Sequence, residues 1–193
     1  MKLSEIKKTV SFINKIWKKI KKNKKKLMLL HCVSSYPVEN KDANIKSISY
    51  LKDKLKNNII GYSDHTIGNS AAVGAVYLGA KVIEKHFTLN NNHSSFRDHK
   101  LSLNPKNMKK LVDEIRKAEE LLGEYKKKPN KTEEKNINSM RRSISINKNR
   151  KKGEKINLQD LIWVRSAKGL RPGNEKKILK KAKKNYSSGD LLL

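Results

Sequence analysis

Apolar residues recur along the first two thirds of this chain in two rhythms that take turns. Leu3, Ile6, Val10, Ile13, Trp17 and Ile20 fall three or four positions apart, which predicts an amphipathic helix over 3–21 whose apolar stripe needs a sheet to cover. A short hydrophobic run then predicts a strand at 27–33. Ile45, Ile48, Leu51 and Leu55 return to helical spacing and place a second helix over 43–56. Strands follow at 59–62 and 81–85, and between them lies GNSAAVGAVYLGA, small and apolar enough to form a helix over 69–79 packed closely on a sheet. Asn104 and Pro105 make an N-cap and first-turn pair for a last helix, with Met108, Leu111, Val112, Ile115 and Leu122 on its core face and Gly123 as its stop. The order α-β-α-β-α-β-α is that of an α/β protein with a parallel sheet and right-handed crossovers.

The pattern changes after Gly123. Residues 124–140 are polar, lack an apolar period and contain Pro129, so they read as a linker. From 141 to 193, alternating Ile144 and Ile146, a Lys-Gly turn at 152–153 and the strand-like LIWV at 161–164 predict a small β-rich domain too short for a generous core of its own. Residues 1–123 carry three strands and begin on a helix. An all-parallel sheet needs both faces covered and usually more strands, so this region reads as part of a barrel.

Composition narrows the function classes. The 193 residues carry a formal net charge of +28, from 46 basic against 18 acidic side chains. Such a charge suits nucleic acid, an anionic membrane or acidic substrates. Here the excess is almost all Lys, 39 against 7 Arg, with abundant Asn and Ile, as an A/T-rich coding sequence produces. Nucleic-acid readers interleave aromatics or cluster Arg, and this chain does neither, so no nucleic-acid partner is expected. The densest run, KKIKKNKKK at 18–26, reads as a solvated turn. One cysteine, Cys32, leaves no internal disulfide and fits a reducing compartment. No run approaches the roughly 20 apolar residues of a membrane span, and no signal-peptide h-region opens the chain. A cytoplasmic protein is the expectation.

Chemistry gathers where strands end. His65 closes the run IIGYSDHT and His86 closes KVIEKHFT, each just past a strand, the position where parallel barrels and doubly wound sheets hold their reactive groups. A lone His there is usually a polar cap. Two at successive strand ends suit a metal. Upstream, LMLLHCVSSYP follows the same grammar, with a strand and then His, Cys, two Ser and a Tyr before Pro37.

LLHCVSSYP, GYSDHT, GAKVIEKHFTL, RDHKLSLNP and finally RRS…KKGE…VRSAKG, in this order and spacing, resemble the sialic acid synthase family, which includes N-acetylneuraminate, legionaminate and pseudaminate synthases. The resemblance covers 3–193. It implies the last three strand-helix units of a (β/α)8 TIM barrel, joined by a linker to an antifreeze-like (SAF) domain. It also implies condensation of phosphoenolpyruvate with an N-acylated hexosamine such as N-acetylmannosamine, giving a nine-carbon 2-keto-3-deoxy acid and phosphate. A divalent metal assists, Mn²⁺ by preference and Mg²⁺ or Co²⁺ as alternatives. By motif match His65 and His86 become its ligands and the catalytic pair. Ser63 and Ser34 become phosphoenolpyruvate contacts, and Tyr36, Asp98 and Arg165 contacts to the acceptor sugar. The family's Pro-Gly-Pro before the aspartate reads SSFR here, and its Arg-Pro-x-x-Gly turn reads RSAKG. Arg165 is expected to act across a domain-swapped homodimer.

Other residues keep plainer readings. His31 is expected to be a hydrogen-bonded neighbour of the pocket, Cys32 a small buried filler, and His93 and His99 loop residues. Glu84 is left between a ligand histidine and the surroundings of Lys85, and Arg141 and Arg142 form a solvated linker end. The resemblance also implies that the family's phosphate-gripping lysines lie upstream of these motifs. The chain is then expected to be an N-terminally truncated reading of an intact synthase gene with a misplaced start or frameshift, a half with a separate upstream partner chain, or a decaying, non-catalytic remnant. The alternative from another class is a glycan- or polyanion-binding module built on the basic C-terminal region.

Overall fold

The computed structural model describes residues 1–20 and 27–193, so most of the 18–26 basic run lies outside the described residues. Two compact units form, Met1–Glu124 and Tyr125–Leu193.

The first unit alternates helix and strand as the apolar rhythm predicts. In chain order it holds α1 (Leu3–Lys19), β1 (Met28–Cys32), a 3-10 turn (Asn40–Asp42), α2 (Lys46–Lys54), β2 (Ile59–Asp64), α3 (Ser70–Tyr77), β3 (Ile83–Lys85), α4 (Arg97–Leu101) and α5 (Pro105–Leu122). The strands form a parallel sheet in the order β1-β2-β3. Met28 to Cys32 pair with Ile59 to Ser63, and Tyr62 to Asp64 pair with Ile83 to Lys85. β2 therefore runs two residues further than the hydrophobic run alone suggests, because Ser63 and Asp64 have partners on β3.

Alternation along β2 sends Ile60 and Tyr62 to one face, where they pack with Ile48, Leu51, Leu55, Ala75 and Ala80 from α2, α3 and their flanks. Leu3 and Ile6 of α1 join this cluster at its edge. The apolar stripe of α1 is half-buried rather than covered, and Ile20 stays exposed. α2 starts at 46 rather than 43 because Asn44 takes a positive φ of 41°, which ends the 3-10 turn before the helix can begin. α5 has the predicted start, with the Asn104 side chain accepting from the Asn107 N–H and Pro105 in the first turn. α4 places RDHK on a short helix, where the sequence reading has His99 in a loop. Five residues are too few for a period to show.

β2 is tightly seated. A Cβ on Gly61 would lie 2.4 Å from Leu30 Cδ2 and 2.5 Å from the Val82 carbonyl oxygen. The side chain can turn away, but the backbone oxygen cannot without breaking the sheet. Gly61→Ala is therefore expected to cost about 1–3 kcal/mol of stability, read as a lowered urea midpoint at unchanged slope.

The second unit holds α6 (Lys131–Glu134), α7 (Ile137–Met140), β4 (Arg142–Ile146) and β5 (Leu161–Arg165), with 3-10 turns at Leu158–Asp160 and Glu175–Lys177. The two one-turn helices stand within the stretch read from its polarity as a linker. β4 and β5 pair antiparallel from Arg142↔Arg165 to Ile146↔Leu161. Later segments return as isolated bridges, among them Ser145↔Leu191 and Lys155↔Lys181. Ile144 and Ile146 pack with Ile156, Leu161, Ile178, Ala182 and Leu192. The other face of β4 is also buried. Its serines are satisfied by backbone, with Ser145 Oγ donating to the Asp190 carbonyl at 2.9 Å and Ser143 Oγ bonded to Ser166 and Gly169. Arg142 begins β4 instead of closing a solvated linker, although its side chain remains exposed.

Candidate active site

The register fixes which side chains share the sheet face opposite the helical core. Cys32 pairs with Ser63 and Ser63 with Glu84, so these three form one row. Ser63 Oγ donates to Glu84 Oε1 at 2.7 Å. Two residues further on, beyond the strand ends, the same alternation brings His65 beside His86, with ring centroids 5.1 Å apart and the planes at 73°.

His65 is buried and held on two sides. Its Nδ1 lies 2.9 Å from the Val33 carbonyl oxygen. A carbonyl can only accept, so Nδ1 carries a proton, and in the neutral ring this leaves the lone pair on Nε2, the tautomer a metal ligand requires. The Tyr36 ring packs on His65 at 4.2 Å and reaches His86 at 5.8 Å. Backbone bonds from Val38 N to His65 O and from Leu103 N to His86 O anchor the two loops. His86 is half-buried, with Nδ1 4.0 Å from Asp98 Oδ2 on α4. Ser102 secures α4 by donating both N–H and Oγ to the Asp98 carbonyl.

Tyr36, His65, His86 and Asp98 are thus gathered in one cluster. Ser63 stands one row below, buried and turned to Glu84, which answers what Glu84 binds. Ser34 is exposed and lines a cavity of about 440 Å³ with Met1, Ile6, Leu30 and Cys32. Arg165 ends β5 in the second unit, exposed and opposite Arg142.

The reading of Cys32 needs correction, whereas His31 is hydrogen-bonded as expected. Cys32 is exposed rather than a buried filler, because it points to the face without helices. His31, one residue earlier, points to the helical face, where its Nε2 bonds the Ala43 carbonyl at 3.0 Å and its ring stacks on Tyr62.

A cavity of about 1130 Å³ lies elsewhere. It is a groove between α3 and α5 lined by Tyr77, Asn91, Glu114 and Leu121. The strand ends are the stronger candidate, because imidazoles, a phenol and a carboxylate converge there. Among the described residues no group of three or more His, Cys, Asp or Glu stands at metal-ligand spacing. A divalent ion at the histidines would have two imidazole ligands and fill its other positions with water or substrate, and the His65 tautomer fits that role.

The side chains missed from the sequence lie behind the histidines. Lys85 Nζ donates to Asp64 Oδ2 at 2.9 Å and to the Thr66 carbonyl, and Asp64 Oδ1 accepts from Thr66 N at 2.8 Å and Thr66 Oγ1 at 2.7 Å. Burial, together with the Asp64 charge and a hydrogen bond to it, pushes the Tyr62 phenol above its ordinary value.

Residues 1–127 match the NeuB family. The chain belongs to this family. It is 42% identical over 167 residues to the N,N'-diacetyllegionaminic acid synthase of Campylobacter jejuni, a match covering 86% of this chain and 49% of that protein. It is 41% identical over 167 residues to a pseudaminic acid synthase of the same species, covering 86% and 48%. Among solved structures, the N-acetylneuraminic acid synthetase of Leptospira borgpetersenii superimposes with a TM-score of 0.61 at 40% identity, over 71% of this chain and 45% of that one. A spore coat polysaccharide biosynthesis protein from Chromobacterium violaceum shares the fold over 100% of this chain and 56% of its own, with a TM-score of 0.70 at 23% identity. The chain spans about half the length of the curated relatives it matches. No described helix is long and apolar enough to cross a membrane.

Proposed function

We propose that this NeuB-family chain carries the metal-binding side of a sialic acid synthase-type active site, in which phosphoenolpyruvate condenses with the open-chain aldehyde of an N-acylated hexosamine. The observation that carries the reading is the cluster of Tyr36, His65, His86 and Asp98 beyond the ends of parallel strands. In this reaction C3 of the enol bonds to the aldehyde carbon, whose oxygen takes a proton. Water adds at C2, and phosphate leaves to give the 2-keto-3-deoxy acid.

His65 and His86 hold the divalent ion, Mn²⁺ before Mg²⁺ or Co²⁺. When bound, the ion supplies Lewis acidity at the aldehyde oxygen. Tyr36 covers the imidazoles with an apolar ring and presents its hydroxyl to the sugar. Asp98 accepts from sugar hydroxyls, and α4 orients it toward His86. Ser63 donates to an anionic oxygen of phosphoenolpyruvate, which requires it to exchange Glu84 for the substrate, and Ser34 supplies a second donor. The exposed sheet face and the outer edges of β1 and β3 call for further strands to complete a (β/α)8 wall, on the same polypeptide or on another. The Tyr125–Leu193 unit takes the part of the SAF domain, with Arg165 reaching the partner's sugar site in a domain-swapped dimer.

The test uses the full-length polypeptide that carries this sequence. Phosphate release from phosphoenolpyruvate should require both an N-acylated hexosamine and Mn²⁺, and EDTA should abolish it until metal is restored. Release that ignores the acceptor, or survives EDTA, overturns the reading.

A further inference from the structure

We propose that Asp64, Lys85 and Thr66 form a buried clasp that sets the spacing of the two histidines, so that they are positioning residues for the metal pair. This rests on His65 and His86 being that pair.

The β2–β3 register ends at Asp64↔Lys85, one residue short of both histidines. At that point a side-chain bridge takes over. Lys85 Nζ reaches from the residue before His86 to Asp64, just before His65, and to the carbonyl of Thr66, just after it. Thr66 then closes the loop by donating N–H and Oγ1 back to Asp64 Oδ1. His65 is thus bracketed on both sides by groups tied to the neighbour of His86.

Both charged side chains are shut away from water, Lys85 2% and Asp64 0% exposed. A buried ion pair is a poor way to gain stability, since apolar side chains of the same volume often do as well or better. Its advantage is direction. Asp64 takes hydrogen bonds from the Thr66 N–H and hydroxyl and from Lys85, which leaves the carboxylate little freedom to turn. Groups behind metal-ligating histidines typically change metal affinity 10- to 100-fold when altered.

The test is Asp64→Asn/Lys85→Met, which removes both charges and keeps the volumes. The expected result in the full-length polypeptide is a urea midpoint close to that of the parent, with Mn²⁺ affinity about 10- to 100-fold weaker by electron paramagnetic resonance of the free ion. In histidine-labelled, metal-free protein the Tyr36–His65 and His65–His86 ring NOEs should weaken as well. Parental Mn²⁺ affinity and NOEs in a folded variant overturn the clasp. If the double variant fails to fold, Thr66→Val removes one hydroxyl donor only and should shift both readouts in the same direction, and no shift overturns the proposal. A parent that binds no Mn²⁺ sinks the metal reading instead, while the metal-free NOEs still judge the clasp.

Discussion

Replacing Asp160 with alanine is expected to cost the Tyr125–Leu193 unit about 3 kcal/mol or more. Asp160 is fully buried. Its Oδ2 accepts from Arg150 Nε at 3.1 Å, Arg150 Nη2 at 2.7 Å and the Asn157 N–H at 2.9 Å. Lys148 Nζ lies 2.7 Å from Oδ1, a charge contact off the hydrogen-bond axis. Alanine leaves the largely buried Arg150 guanidinium without its counter-charge and the 158–160 turn without its cap, and an abandoned buried charge is what makes such deletions expensive. Asp160→Asn keeps a polar atom there and should lose less. Urea unfolding followed by a probe in this unit reads the difference, and a loss under about 1 kcal/mol would place the network among weak surface pairs.

The same group predicts a pH dependence. Burial alone would raise the Asp160 carboxyl, but the Asn157 N–H, Lys148 and Arg150 outweigh it and hold the group well below the usual carboxylate range. A group that is more acidic folded than unfolded contributes its full stability above its unfolded value. That contribution fades as pH drops below about 4 toward the folded value. The parent should therefore lose stability through this acid range more steeply than Asp160→Asn, which has no proton to take up.

What the sequence disclosed follows from what periodicity can carry. Helices α1, α2 and α5 show in the spacing of apolar residues, because one face of each is turned from water, fully for parts of α2 and α5 and by half for α1, while α3 and the three parallel strands show as short apolar runs. The ends of α5 show because Asn104, Pro105 and Gly123 have local chemistry of their own. α4 does not show, since one turn is held by Ser102 and by tertiary contacts rather than by a stripe. The buried serines of β4 do not show either. A hydroxyl reads as solvent-facing until the returning chain supplies its acceptor.

The candidate site divides in the same way. Strand-end position and motif point to His65 and His86, and the motifs alone single out Tyr36 and Asp98. Register decides the rest. Period two says that Ser63 and Asp64 face opposite ways, but only the pairing with Glu84 and Lys85 says what each meets. The same parity separates His31 from Cys32, which the sequence presents as neighbours and the sheet sends to opposite faces.

His65→Ala should weaken divalent-metal binding at least about 100-fold, beyond what altering a group behind a ligand does, because no third ligand-bearing side chain is gathered to compensate among the described residues. His86→Ala should match it, since a two-ligand site has no redundancy. Their effects on stability should differ. The His65 ring is buried, packed on Tyr36 and bonded to the Val33 carbonyl, which keeps the Ser35 N–H as a second donor, so its loss opens a gap and removes one hydrogen bond at about 1–3 kcal/mol. His86 is half-buried, and its loss should cost little. Mn²⁺ titration and urea unfolding of the two variants side by side separate the roles: equal losses of metal with unequal losses of stability place both rings on the ion and one in the packing. Metal retained by either variant would remove that histidine from the site.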